Sequence, residues 1–108
     1  MEPTRLDGWT IYHRPVTEST NLDARAGKPG DVFTADEQTA GRGRLDHTWL
    51  SQPGKNLMLS VVLDVAGVAP AEVATLPLVV GLAAATATSL LLLRQTWIKW
   101  PNDVLICS

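Results

Sequence analysis

Cysteine is almost missing. The 108 residues hold one, Cys107, so no internal disulfide can form and a reducing compartment is the expected setting. There is no basic excess either: nine Lys and Arg stand against eleven Asp and Glu, for a net charge of −2. That balance argues against the basic face by which proteins hold nucleic acid nonspecifically. The two histidines, His13 and His47, lie far apart with no cysteine near either, so no metal-ligand spacing appears. The opening "MEPTRLDGWT" is polar where a secretory leader needs an apolar run. No repeat and no low-complexity tract interrupts the chain.

What is present is enough apolar material for a core. Hydrophobic residues make up 45%, which excludes disorder and suits one small domain or a piece of a larger one. One run is long. From Val73 to Leu93, "VATLPLVVGLAAATATSLLLL", no residue is charged, and the length would span a bilayer. Pro77, the threonines and the many alanines drive insertion poorly, so the preferred reading is a helix packed on a sheet, with a membrane segment as the alternative.

Local patterns sketch the order of elements. "WTIYHR" (9–14) alternates like a strand; Ser19 or Thr20 can cap a short helix that Gly27 ends; "KPGD" is a turn; "DVFTADEQ" (31–38) is a strand. A long loop then runs to Pro53-Gly54, and "NLMLSVVLD" (56–64) is apolar enough for a central strand. "AGVAPAEVA" has helical tendency, and the main helix runs from Leu76 to Leu93 with Pro77 in its first turn. "TWIKW" (96–100) is a strand, "PND" a turn, and "VLIC" begins another strand. The expectation is an α+β fold with a mixed sheet and helices on one side.

Three stretches carry candidate chemistry. "QTAGRGRLDHTW" (38–49) sets Arg42 and Arg44 among Gly41 and Gly43, with Trp49 close behind. The glycines let backbone approach a ligand, the guanidinium forks suit carboxylate or phosphate, and the indole offers a face to a ring. The stretch is neither a P-loop nor G-x-G-x-x-G, and a solvated loop is the bland alternative. "KWPND" (99–103) offers Lys99, Asn102 and Asp103 to hydroxyls or to Mg²⁺, or is a self-bonded turn. "STN" (19–21) offers hydroxyls and an amide to a neutral polar group, or is simply a helix cap.

Taken in order, "STN", "EQTAGRGR" with its following tryptophan, "GKNLMLS", "VVGLAAA" and "IKWPND" resemble the catalytic domain of biotin protein ligases over roughly residues 10 to 105. The resemblance implies a class II aminoacyl-tRNA synthetase/biotin ligase-like fold, here incomplete. It also implies ATP and biotin as substrates with Mg²⁺, biotinyl-5′-AMP as intermediate, and transfer to a lysine of a biotin carboxyl carrier domain. By matching positions, Ser19, Thr20, Asn21, Gln38, Gly41, Arg42, Gly43 and Arg44 would bind biotin. Arg42 and Arg44 would act catalytically on the growing phosphate charge. Trp49, Asn56, Lys99, Asn102 and Asp103 would face the nucleotide. In that family the glycine-arginine loop closes over the adenylate and excludes water.

Family members continue past the matching "KWPND" through a lysine-containing, glycine-ended segment, whereas this sequence stops at "VLICS". It therefore reads as the N-terminal portion of such a catalytic domain, with no helix-turn-helix domain and no C-terminal domain, acting in the cytoplasm without DNA or membrane. The alternatives are a lipoate–protein ligase, whose glycine run differs from "GRGR", and an inactive biotin-binding fragment.

Overall fold

The computed structural model describes residues 2–42, 48–49, 56–99 and 103–106, with Arg42, Thr48 and Trp49 described through their backbone. The chain forms two compact units, Met1–Asp64 and Val65–Ser108.

The first unit opens with β1 (Thr4–Leu6) and β2 (Trp9–Thr17), an antiparallel pair with Leu6 opposite Trp9. Only Asp7 and Gly8 connect them, at φ of 47° and 83°. Asp-Gly is the sequence that a two-residue turn with two left-handed positions demands. A short helix, α1 (Thr20–Ala24), then crosses over to β3 (Asp31–Gln38), which lies parallel to β2. Next come the two-residue strands β4 (Gly41–Arg42) and β5 (Thr48–Trp49), paired antiparallel, and β6 (Met58–Val61), antiparallel to β3. The main sheet is mixed, in the order β1-β2-β3-β6, as the α+β reading requires.

Four features of this unit differ from the sequence expectation. β2 runs to Thr17 rather than Arg14, because Val16 and Thr17 still pair with Glu37 and Gln38 beyond Pro15, which has no N–H to give. α1 ends at Ala24, and Gly27 is not its left-handed cap. Space favours glycine there: a Cβ would come within 2.7 Å of the Phe33 ring, which would have to move. The segment expected to be one long loop contains the β4–β5 pair, and the expected central strand at 56–64 shortens to β6, which with β1 forms the two edges of the described sheet.

Alternation sorts the sheet's faces. Tyr12, Arg14, Phe33 and Ala35 share one face, where α1 packs and the Tyr12 and Phe33 rings stack at 5.2 Å. His13, Thr34 and Asp36 lie on the other. There the imidazole reaches Thr34 Oγ1 at 2.8 Å and Asp36 Oδ2 at 3.2 Å in an exposed cluster. Ala35 and Met58, cross-strand neighbours, form the buried apolar centre of this unit.

The second unit contains α2 (Pro70–Val73), α3 (Leu76–Leu92), and the antiparallel pair β7 (Thr96–Lys99) and β8 (Asp103–Ile106). Pro77 does sit in the first turn of α3, and Leu93 turns the chain at φ 54°. Thr96 Oγ1 donates to the Ala85 carbonyl at 3.1 Å and meets Ser89 Oγ at 3.0 Å, tying β7 to the helix. Asp103 opens β8 instead of closing a turn.

The expected burial of this helix is not found within its unit. Of its residues only Gly81 and Ala85 are buried. The helix is apolar around its whole circumference, and a two-stranded pair covers only a narrow stripe of it. The segment Pro70–Leu92 is long and apolar enough to cross a membrane by length and composition, and 11% of its most apolar stretch is buried.

Candidate functional site

The three candidate stretches are not equally placed. Two of them meet in the first unit, and the parallel β2–β3 pairing is what brings them together. Thr17 lies beside Gln38, so the residues after each strand run side by side. Thr39 N–H donates to the Thr17 carbonyl at 3.0 Å and Ala40 N–H to the Glu18 carbonyl at 2.8 Å. The "STN" segment and the root of the glycine-arginine segment are thus stitched by backbone before Gly41 begins β4.

Ser19 is the N-cap of α1, accepting the Asn21 N–H at 3.2 Å, so the expected cap exists. It does not exhaust the motif. Thr20 is 3% exposed, and its backbone N–H donates to Gln38 Oε1 at 2.8 Å. A side chain from a neighbouring strand therefore satisfies a helix-start donor that the cap leaves over. The Thr20 hydroxyl lies 3.0 Å from the same Oε1 and 2.8 Å from Ser60 Oγ, and Ser60 Oγ donates to Asn21 Oδ1 at 2.5 Å. Around this cluster is an open cavity of about 240 Å³ lined by Thr20, Asn21, Gln38 and the run Leu57 to Ser60. Its hydroxyls and carboxamides are uncharged, and Leu57, Met58 and Leu59 add apolar wall. Such a cavity fits a neutral ring bearing hydrogen-bonding groups.

Ser60 is the member that sequence reasoning missed. Its signal was available: it is the one polar residue in the strand "MLSV", aligned opposite Phe33 on the α1 face.

A larger cleft of about 520 Å³ lies against the stacked Tyr12 and Phe33 rings, with Leu22, Asp23 and Arg14 at its rim. It holds none of the motif residues. Its Asp23 is engaged within the fold: Arg14 pairs with Asp23 Oδ1 at 3.2 Å, and the Thr17 hydroxyl donates to Asp23 Oδ2 at 2.6 Å. We therefore place the site at the smaller cavity, where the motif residues converge.

Of the other sequence candidates, Gly41 is buried and pairs with Trp49, and Arg42 pairs with Thr48. Gly43, Arg44 and Asn102 lie outside the described residues, as do His47 and Cys107. Asn56 is exposed ahead of β6 and does not line the cavity. Lys99 and Asp103 face each other across the β7–β8 pair in the second unit, both exposed. Among the described residues no group of His, Cys, Asp and Glu is arranged to hold a metal ion.

Residues 13–107 match the model of the biotin/lipoate A/B protein ligase family. The chain is 39% identical over 104 residues to the bifunctional ligase/repressor BirA of Escherichia coli, covering 93% of this chain and 32% of that protein. It is 39% identical over 98 residues to the biotin–[acetyl-CoA-carboxylase] ligase of Mycobacterium tuberculosis, covering 82% and 37% respectively. The fold is similar to that of the biotin protein ligase from Aquifex aeolicus solved with biotin and ATP. The TM-score is 0.77 with 34% identity, over 88% of this chain and 40% of the other. It is also similar to the Leishmania major ligase solved with biotinyl-5-AMP, with a TM-score of 0.73 and 30% identity, over 89% and 47%. The chain spans about a third of the length of the curated relatives it matches.

Proposed function

The chain belongs to the biotin/lipoate A/B protein ligase family, and from that premise we propose that it forms the biotin-recognising part of a biotin–[acetyl-CoA carboxylase] ligase. The single observation that carries this reading is the stitched junction just described. A neutral polar cavity built from Thr20, Asn21, Gln38 and Ser60 lies one backbone step from the root of the Gly41–Arg42 segment.

The reaction has two steps. A carboxylate oxygen of biotin attacks the α-phosphorus of ATP; the bond to the departing pyrophosphate breaks, leaving biotinyl-5′-AMP. The ε-amine of a lysine on a biotin carboxyl carrier domain then attacks the acyl carbon. An amide forms, AMP leaves with the bonding pair, and the amine gives up a proton. In this scheme the cavity holds the ureido ring, which is neutral and polar as the cavity is. Arg42 and Arg44 follow Gln38 closely enough in the chain to meet the other end of the vitamin. Their charge offsets the negative charge gathering at phosphorus. Trp49 stacks on the nucleotide, with Lys99, Asn102 and Asp103 toward ATP. Mg²⁺, were it to accompany the nucleotide, would offset the negative charge of the phosphates. In this scheme the chain's own residues contribute hydrogen bonding in the cavity and arginine charge at the phosphate.

The same reading puts the protein in the cytoplasm beside its carrier, acetyl-CoA carboxylase or a related biotin-dependent enzyme, without contact to DNA or membrane. The net charge of −2 supports the first exclusion. The test is pyrophosphate release on adding biotin and ATP to the purified protein, followed by label transfer from radioactive biotin to a carrier domain. Release and transfer together are expected. Biotin binding without release leaves a binding fragment; protection by lipoate and not by biotin would assign the sister activity. Salt-resistant association with vesicles would overturn the reading of Pro70–Leu92 as a core helix.

A further inference from the structure

The hydroxyl and amide contacts of the cavity can be counted proton by proton, and the count fixes which carboxamide oxygens are engaged within it. The Thr20 backbone N–H can only donate, so the Gln38 atom facing it is Oε1 and the Nε2 amine points away. The Ser60–Asn21 contact of 2.5 Å falls in the O–H···O range and below that of N–H···O. The single Ser60 proton therefore goes to Asn21 Oδ1, and the Nδ2 amine of Asn21 also points away. With that proton used, the 2.8 Å contact between Thr20 and Ser60 takes the Thr20 proton, shared with Gln38 Oε1 at 3.0 Å. Gln38 Oε1 loses nothing by sharing, since the backbone N–H already satisfies it. Both carboxamides turn their oxygens to these partners, and neither amine takes part in this bonding.

The geometry points to Ser60 as a positioning residue: its proton locks the Asn21 amide so that the cavity offers amine donors at both carboxamides and selects a ring bearing a carbonyl acceptor over a cationic one. Thr20 and Gln38 need Ser60 for none of their own mutual bonding, so the effect is directed at Asn21. Without the Ser60 proton, the Asn21 amide is free to turn about χ2 and present its oxygen. This inference rests on the ligase reading above.

The experiment measures binding of two probes at neutral pH: biotin, a neutral cyclic urea, and 2-iminobiotin, whose cyclic guanidine is protonated and has only donors. The full chain is compared with Ser60→Ala, Ser60→Thr and Asn21→Asp. Biotin is expected to weaken about five- to tenfold in Ser60→Ala, the effect of one ordinary hydrogen bond, while 2-iminobiotin holds or tightens. The biotin preference thus falls by at least that factor. Ser60→Thr keeps a hydroxyl and restores it. Asn21→Asp still accepts the Ser60 proton but shows an oxygen outward, so preference moves toward the cation even if Ser60→Ala proves too unstable to assay. Equal loss of both probes in Ser60→Ala, or an unchanged preference in Asn21→Asp, overturns the assignment. If the unaltered chain binds neither probe, the ligase reading itself falls; if it binds biotin and only the preferences fail to move, that reading stands and this one does not.

Discussion

Gln38 joins stability to recognition through opposite ends of one carboxamide, so two substitutions separate the roles. Gln38→Leu removes Oε1. The Thr20 hydroxyl keeps Ser60 as an acceptor, but the Thr20 backbone N–H, on a residue only 3% exposed, loses its partner. A buried donor left unmade costs about 1–3 kcal/mol, and for a domain of this size each kcal/mol lowers Tm by about 4–8 °C. Gln38→Glu keeps an oxygen at that position, now charged and beside a helix start. It should leave Tm unchanged or slightly raised. Its outer atom, however, changes from an amine donor to a carboxylate oxygen. Biotin affinity should then fall by about 2 kcal/mol, near thirtyfold, from a lost donor plus a desolvated charge. Thermal melts and calorimetric titration with biotin read the two effects apart. A Gln38→Leu protein as stable as the parent would show that the Thr20 bond does not form. A Gln38→Glu protein binding biotin normally would show that the outer amine does not meet the ligand.

Other substitutions test the surroundings. Gly27→Ala brings a Cβ to 2.7 Å from Phe33 Cε2, and the ring is stacked on Tyr12. A loss of about 1–3 kcal/mol in denaturant unfolding is expected, and no loss would mean that the ring shifts freely. Asp23→Ala strips Arg14 of its pair and leaves the buried Thr17 hydroxyl without its acceptor. The hydroxyl accounts for most of an expected 1–3 kcal/mol, since the exposed guanidinium adds little; Arg14→Ala should therefore cost less than Asp23→Ala. Arg44→Ala should speed loss of biotinyl-5′-AMP more than it weakens biotin, and equal effects would remove the arginine from the phosphate. Trp49→Ala should raise the Kd for ATP by about 1–2 kcal/mol, while an unchanged Kd would rule out stacking.

Much of the fold was legible because local rules and tertiary contacts agree. β3 matches "DVFTADEQ" residue for residue, and α3 differs by one residue, since Pro77 marks its start and apolar residues without glycine or proline near its end carry it to Leu92. Where neighbours decide, local pattern misled. Pro15 was a reasonable strand end, yet β3 continues to pair past it; Gly27 suited a helix cap but answers to the size of Phe33. The site was readable as motifs, not as an assembly. "STN" reads alone as a cap, and it is one; only the register of β2 on β3 shows that Gln38 reaches its second donor. Ser60 showed in the sequence as one polar residue among aliphatics, but that signal acquires a role only from what stands across the sheet.

The unbroken stretch from Trp9 to Gln38 has a consequence for folding order. β2, α1 and β3 are contiguous, and their mutual contacts close only short loops, so Thr20 and Gln38 can find each other early at small entropic cost. Ser60 returns only after a further excursion of the chain and completes the cluster from β6. Transition-state φ-values should accordingly be higher at Gln38 than at Ser60, and the reverse ranking would mean that the late strand nucleates the sheet.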